Sequence, residues 1–247
     1  MNNRKLIQKI VDSASTYPGS TFDVGKGRVY TCVNPFSYHL VRHRPQLYES
    51  MDGLFVDGMI MCWLIRILWG KRIDRHSFDM TGMAADLFSY LNNTQNRSIY
   101  FIGTKQEILE KTIKQFRDSY PNMNIIGYRN GYFADCDKIN VINEIIRANS
   151  DFTIVGMGAP LQEQFGSDLK KAGYKGIIFT CGGFLHQSTN NIKYYPDWVN
   201  KYNLRAFYRL FHEKNLWKRL YNVLIEFPVL FTWDTFVTKW YRNKTID

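Results

Sequence analysis

At 247 residues and 45% hydrophobic composition, the chain can bury a full core as one large domain or one domain with an appendage, and it is too apolar to be disordered. The formal net charge of +10 favours an anionic partner: a nucleotide, a nucleic acid or an acidic membrane surface. Four widely separated cysteines, Cys32, Cys62, Cys136 and Cys181, form no CxxC pair, which argues against a zinc site or a disulfide framework and for a reducing compartment.

The opening MNNRKLIQKIVDSAS is amphipathic and lacks the continuous apolar core of a signal peptide, so no secretion is expected. Gly27 to Pro35 reads as a strand ending at Asn34 and Pro35, and Phe36 to Ser50 as a helix. Leu54 to Val56 is a short strand, Asp57 and Gly58 form a turn, and Met59 to Trp69 is a helix closed by Gly70. Being apolar nearly all round, that helix is expected in the core. Arg66 interrupts its apolar run, which falls short of the roughly 20 residues a bilayer crossing needs, so membrane contact is expected to be peripheral. The loop KRIDRHSFDMTG leads to a helix over Met80 to Leu91, apolar at Met83, Ala84, Leu87 and Leu91.

From Ser98 the pattern becomes regular: strand SIYFIGT, helix, strand NIIGYRNG, helix, strand FTIVGMG, helix, strand KGIIFTCGG. Strands alternating with helices of this length predict right-handed crossovers and a mainly parallel sheet with helices on both faces, a Rossmann-like doubly wound α/β fold. Within it, DFTIVGMGAPLQEQF (Asp151 to Phe165) reads as a buried strand that delivers a glycine turn and then a helix. Gly156 and Gly158 allow a tight turn or a close backbone approach, and Pro160 suits the start of the helix. A loop at the carboxyl end of a parallel strand, feeding a helix N-terminus, is a natural phosphate site, though glycine turns of this kind are common.

Near Asn190 the composition changes. Lys201 to Asp247 holds nine Lys/Arg against four Asp/Glu, with aromatics interleaved. The predicted division is a Rossmann-like catalytic domain over 1–195 and a helical appendage over 196–247. Basic and aromatic residues on helices fit an anionic membrane interface or a nucleic-acid groove, or else a cap whose aromatics pack on the sheet.

Several residues carry candidate chemistry. Asp57, between a strand end and an apolar helix, suits either a general base or an N-cap. Arg75 suits a phosphate contact or a surface pair with Asp79. Asp135 and Asp137 form a DxD, a metal-holding pattern, yet stand where acids favour the start of a helix. His39 and His43 have the spacing of a metal pair without a third ligand nearby. There is no GxSxG, HExxH or Walker P-loop.

Taken together, these stretches resemble the WecG/TagA/CpsF glycosyltransferases of bacterial surface-polysaccharide and teichoic-acid assembly, over most of the chain. VNP (Val33 to Pro35) is similar to the family's early Asn motif, FVDG to its Asp-Gly motif, and FIGTKQEILEKTIKQFRDSYPNMNIIGYRNGYF to its central strand-helix-strand. VGMGAPLQEQF is similar to the VGxGxPxQE signature, while TCGGF and NLRAFYRLFHEKNLWKR resemble the later glycine turn and the arginine-rich tail. Two positions depart from the pattern: Cys32 stands where Thr is usual, and the tail's EPxR reads Glu213, Lys214, Asn215, Leu216, with Lys218 nearby.

The resemblance implies an inverting, metal-independent transferase with no cofactor, moving a sugar from a UDP-sugar to a polyprenyl-diphosphate-linked acceptor. It implies Asp57 as general base and Asn34, Arg75, Gly103, Thr104, Gly156, Gly158, Gln162 and Glu163 on the donor and nucleotide side. Arg209, Lys218 and Arg219 are implied over the diphosphate, at the membrane. The expected location is cytoplasmic, peripheral on the inner face of the bacterial cytoplasmic membrane, with the tail on anionic lipid. No nucleic-acid partner is expected, and a homo-oligomer is compatible. The rival readings are a non-catalytic basic adaptor for membrane or RNA and, more remotely, a nicotinamide-dependent oxidoreductase. The latter wants a full GxGxxG in the first βα unit, which is absent.

Overall fold

The structure, a computed structural model, describes residues 3–13, 26–94, 96–188 and 220–244. The elements are α1 (Arg4–Ser13), β1 (Arg28–Val33), α2 (Tyr38–Arg42), α3 (Pro45–Glu49), β2 (Gly53–Val56), α4 (Met59–Trp69), α5 (Met83–Thr94), β3 (Ser98–Gly103), α6 (Gln106–Ser119), β4 (Asn124–Arg129), α7 (Lys138–Ala148), β5 (Phe152–Gly156), α8 (Leu161–Lys171), β6 (Ile177–Thr180), α9 (Phe184–Gln187) and α10 (Phe227–Lys244). The strands form one six-stranded sheet in the order β2-β1-β6-β5-β3-β4, with parallel pairing of β1 with β6, β6 with β5, β5 with β3 and β3 with β4. The doubly wound α/β class expected from the alternation is the class observed.

The described residues divide into two compact units: 3–13, 32–76 and 220–244 in one, 26–31 and 77–188 in the other. In the second unit β3, β5 and β6 are buried along almost their whole lengths, as strands covered on both faces must be. Phe88, Phe101, Phe116 and Phe184 make a ring cluster with centroids 4.9–6.1 Å apart. Burying each of the first three contributes roughly 1.5–3 kcal/mol. In the first unit α1 buries Leu6, Ile7, Ile10 and Val11 on one face, as its spacing predicts, and packs against β2, α3 and α10.

Two expectations are corrected here. The helix expected over Phe36 to Ser50 is two short helices, because the chain breaks at His43 and Arg44 and Pro45 starts the second. The second concerns α4, whose bounds are those expected. It is not a core helix: Met61, Cys62 and Ile65 are buried, but Trp63 is 57% exposed and Ile67 76%. One face of an apolar helix therefore meets solvent.

α10 is held by a buried polar cluster. Asp234 accepts hydrogen bonds from the Tyr38 hydroxyl at 2.8 Å, from Arg42 Nε and Nη2 at 3.1 Å each, and from Asn3 Nδ2 at 3.3 Å. Burial, and then the neighbouring Asp234 carboxylate, push the Tyr38 hydroxyl well above the usual tyrosine range. The phenol is therefore a permanent donor to the carboxylate. Phe227 and Phe231 stack edge-on against the Tyr38 ring at 5.3 and 5.5 Å.

Candidate active site

In the second unit, β3 is followed by α6 and β4 on one side, and β5 by α8 and β6 on the other. The strand order therefore reverses between β3 and β5, and the crevice outside their carboxyl ends is where open parallel sheets take ligands. Gly103 and Gly156, the last residues of those strands, lie opposite each other in the register. A Cβ on Gly103 would collide with the Gly156 carbonyl, so only glycine permits this closeness. Thr104 N–H donates to Gly156 O at 3.1 Å, and Thr104 O accepts Gly131 N–H at 3.0 Å. Three strand ends are thereby tied by backbone alone.

Beyond Gly156 the chain turns at Gly158, whose φ of +79° no L side chain adopts easily and whose Cβ direction is open. Gln162 N–H donates to Gly158 O at 3.0 Å, so the turn runs directly into α8. Gly182, after β6, has φ +56° and the same open space. Backbone N–H groups and a helix N-terminus, bare of side chains, suit a phosphate.

Gln162 and Glu163 stand side by side in sequence but do different work. Gln162 Oε1 accepts Gly182 N–H at 3.0 Å, and its Nε2 donates to Glu163 Oε1 at 2.8 Å. Thr31 Oγ1 on β1 donates to the same Glu163 oxygen at 2.8 Å, and Thr180 Oγ1 on β6 donates to Thr31 at 2.6 Å. Glu163 is 1% exposed, and its Oε2 has no hydrogen-bond partner among the described residues. Burial raises its pKa, opposed by the bonds from Gln162 and Thr31. Its carboxyl points into the core, so any contribution to a donor site passes through Gln162. Thr31, Thr180 and Gly182 were not among the residues picked out from sequence. The available signal was two threonines in strands otherwise built of buried apolar residues, since a buried hydroxyl there needs an acceptor.

In the first unit, Asp57 follows β2 and its N–H donates to Val33 O at 2.9 Å, joining the FVDG turn to VNP. A Cβ on Gly58 would come within 2.9 Å of Pro35 Cδ, and Gly58 has φ +112°. The N-cap position of α4 is Gly58, the residue after Asp57. Asn34 Oδ1 accepts Ser37 N–H at 2.8 Å, which fixes the orientation of its amide. His76 N–H donates to Val56 O at 2.9 Å and draws the loop carrying Arg75 back to the end of β2. Cys62 is pushed up to about 11 by burial and then by Asp57, with Arg75 acting against this, so base candidate and cation act on one buried thiol.

Asp135 and Asp137 form an exposed 3-10 turn leading into α7, the helix-start arrangement. His39 and His43 spend their Nδ1 atoms on the carbonyls of Phe36 and His39, at 3.0 and 2.7 Å. Among the described residues no group of three or more His, Cys, Asp or Glu could hold a metal ion. Asp79 Oδ1 accepts from the backbone N–H and hydroxyl of Thr81, closing a local turn. Arg209, Lys218 and Arg219, and the boundary expected at 195/196, lie outside the described residues.

The chain matches the profile of the glycosyl transferase WecG/TagA/CpsF family over residues 11–242. It is 34% identical over 202 residues to the UDP-Gal:alpha-D-GlcNAc-diphosphoundecaprenol beta-1,4-galactosyltransferase of Shigella boydii, covering 81% of this chain and 82% of the relative. It is 27% identical over 201 residues to the N-acetylglucosaminyldiphosphoundecaprenol N-acetyl-beta-D-mannosaminyltransferase of Bacillus subtilis strain 168, covering 80% and 76% respectively.

Proposed function

Because the chain belongs to the WecG/TagA/CpsF family and is a glycosyltransferase, we propose that it moves a hexose or N-acetylhexosamine from a UDP-sugar to a polyprenyl-diphosphate-linked sugar in surface-polysaccharide synthesis. The proposed reaction inverts the anomeric carbon and uses no metal. The observation that carries the donor side is the switch point between β3 and β5, where glycine turns present backbone N–H groups ahead of α8. The names of the relatives support the acceptor class: both act on a sugar-diphosphoundecaprenol, and the first takes its sugar from UDP-Gal.

The step is a single displacement. Asp57 takes the proton of the acceptor hydroxyl, the oxygen's electron pair forms the new bond to the anomeric carbon, and the bond to UDP breaks with its pair leaving on the diphosphate. Without a metal, that growing negative charge is met by the N–H groups of the Gly156 to Ala159 turn and by Arg75, with Arg209, Lys218 and Arg219 assigned to the acceptor diphosphate. Asn34, Gly103, Thr104, Gly158 and Gln162 shape the donor side, Glu163 acting through Gln162. The segment after residue 195 rests on the inner face of the cytoplasmic membrane, where a polyprenyl-linked acceptor is held. No helix among the described residues is long and apolar enough to cross a membrane.

The test is UDP release from a panel of UDP-sugars with a polyprenyl-diphosphate-sugar acceptor, with and without chelator. Activity that survives chelator supports the metal-free route, and activity lost and restored by a divalent ion overturns it. Asp57→Asn keeps UDP affinity and loses transfer; turnover above a few percent removes Asp57 as the base.

A further inference from the structure

The exposed faces of α4 and α10 carry more than a core requirement explains. On α10, Val229, Trp233, Phe236 and Trp240 follow one another at steps of four, three and four, a single helical stripe, and all four are exposed, the first three by 62–63%. The opposite, buried face holds Phe227 and Phe231 but also Asp234, Thr235 and Thr238. Along its last three turns the helix is inverted, with polar groups inside and aromatics outside. The inner polar groups are bonded: Asp234 to Tyr38, Arg42 and Asn3, and Thr238 to Asp234 O at 2.7 Å. The inversion is therefore a consistent feature of the packing.

α4 repeats the feature beside it. Trp69 Nε1 donates to Thr235 Oγ1 at 3.4 Å, Lys239 Nζ donates to the Leu68 carbonyl, and the Lys239 and Arg242 cations sit 5.2 and 5.9 Å from the Trp69 ring centroid. Trp63 and Ile67, one turn apart on the outer face of α4, are exposed in the same way as the α10 stripe. The charges on the two helices are Arg66, Lys239, Arg242 and Lys244 against one acid, Asp234, which is buried and paired with Arg42 at 3.1 Å. With Lys239 turned inward to Leu68, the remaining outward charges of the pair, Arg66, Arg242 and Lys244, are all basic.

We propose that α4 and α10 together form a surface that lies on an anionic lipid bilayer, with Trp63, Ile67, Val229, Trp233, Phe236 and Trp240 immersed at headgroup depth and Arg66, Arg242 and Lys244 on lipid phosphates, Lys239 being held inward by the Leu68 carbonyl. Tryptophan-rich apolar stripes flanked by one sign of charge fit that boundary, where one side of a ring is wet and the other apolar. The proposal rests on the membrane reading of the C-terminal segment given above and extends it to α4, the helix whose N-cap Gly58 directly follows Asp57. Trp63 stands six residues after Asp57, about two helical turns, so contact there brings the proposed base close to the lipid that holds the acceptor.

The experiment uses the full chain with vesicles of phosphatidylcholine alone and of phosphatidylcholine with phosphatidylglycerol. Trp63→Ser with Ile67→Ser, and separately Trp233→Ser with Phe236→Ser, each lower partition onto the mixed vesicles by about tenfold, with little binding to neutral vesicles for any form. Brominated acyl chains quench part of the tryptophan emission, and Trp63→Phe removes a share of that quenching. Transfer to a short-chain, water-soluble diphosphate-sugar acceptor stays unchanged in both double variants, which separates this surface from the reaction: loss of all transfer in every form counts against the enzymatic reading alone. If the α4 pair partitions like the wild type, or Trp63 is not quenched, α4 is not part of a membrane surface. If the variants instead shift the sedimentation mass while partition is unchanged, the stripe covers a second copy and the proposal is overturned.

Discussion

Gln162 Oε1 accepts the Gly182 N–H at 3.0 Å, which makes the first turn of α8 and the turn after β6 one rigid piece. Gln162→Ala cuts that bond and takes one of two donors from the buried Glu163 oxygen. The expected cost in stability is about 1–3 kcal/mol, the range for leaving buried polar groups unmet. UDP affinity is expected to fall about tenfold, because the turns at Gly158 and Gly182 lose their fixed spacing. Calorimetric titration of UDP against wild type and variant measures this. An unchanged Kd, with stability reduced, would leave Gln162 a purely structural brace.

Gly103 and Gly158 separate steric from conformational demand. Gly103→Ala drives a methyl into the Gly156 carbonyl, backbone against backbone, where nothing can swing away. Gly158→Ala meets nothing within 4 Å and suffers only its φ of +79°. The first is expected to cost about 3 kcal/mol or more and the second about 1 kcal/mol. Chemical denaturation of the two variants checks the order. Equal losses would show that the β3 and β5 ends can part, and would weaken the case for a preformed crevice there.

How much of this was readable beforehand depends on the range of the interaction. The alternation from Ser98 to Gly183 was legible because each strand and helix declares its own period, and α4 begins and ends at the residues its turn glycines mark. Which strand ends face each other was not, because the order β6-β5-β3 is set by packing between segments remote in sequence. Glu163 was placed on the donor side by the resemblance of VGMGAPLQEQF to the family signature. Thr31 and Thr180 are 132 residues upstream and 17 downstream: as threonines in apolar strands they signal a buried acceptor, but nothing local says that it is Glu163. The basic and aromatic residues counted in the tail did not say which face of α10 is turned outward. That depends on Asp234 finding Arg42 and Tyr38, 192 and 196 residues away.

Asp234→Ala is expected to release α10 from α1 and α2. It leaves the Arg42 guanidinium and the buried Tyr38 hydroxyl without their acceptor, and breaking such a pair from one side costs about 3–5 kcal/mol. Asp234→Asn keeps shape and some bonds and is expected to lose less. Limited proteolysis reads the effect locally: cleavage within residues 220–244 rises sharply for the alanine variant. If cleavage there stays at wild-type rates, the ring contacts of Phe227 and Phe231 with Tyr38 suffice to hold the helix.

Glu163 predicts a pH dependence of definite sign. Burial raises its folded pKa despite the bonds from Gln162 and Thr31, so the native state keeps this proton to a higher pH than the unfolded chain does. Between the unfolded value, about 4.3, and the raised folded value, the native state binds more protons and stability falls as pH rises. Asp151 acts in the opposite sense and elsewhere. Although burial alone would raise it, the Ser98 N–H and Arg97 bring its pKa below the ordinary value, so its contribution is present above about pH 3.9 and lost on acidification below it. The two windows do not overlap. Glu163→Gln therefore removes a stability loss that the wild type shows on going from about pH 4.5 to about pH 7, visible as a flatter denaturant midpoint across that range. Parallel pH profiles for variant and wild type would mean that Glu163 titrates alike in both states, and that its buried carboxyl is ionised at no net cost to the fold.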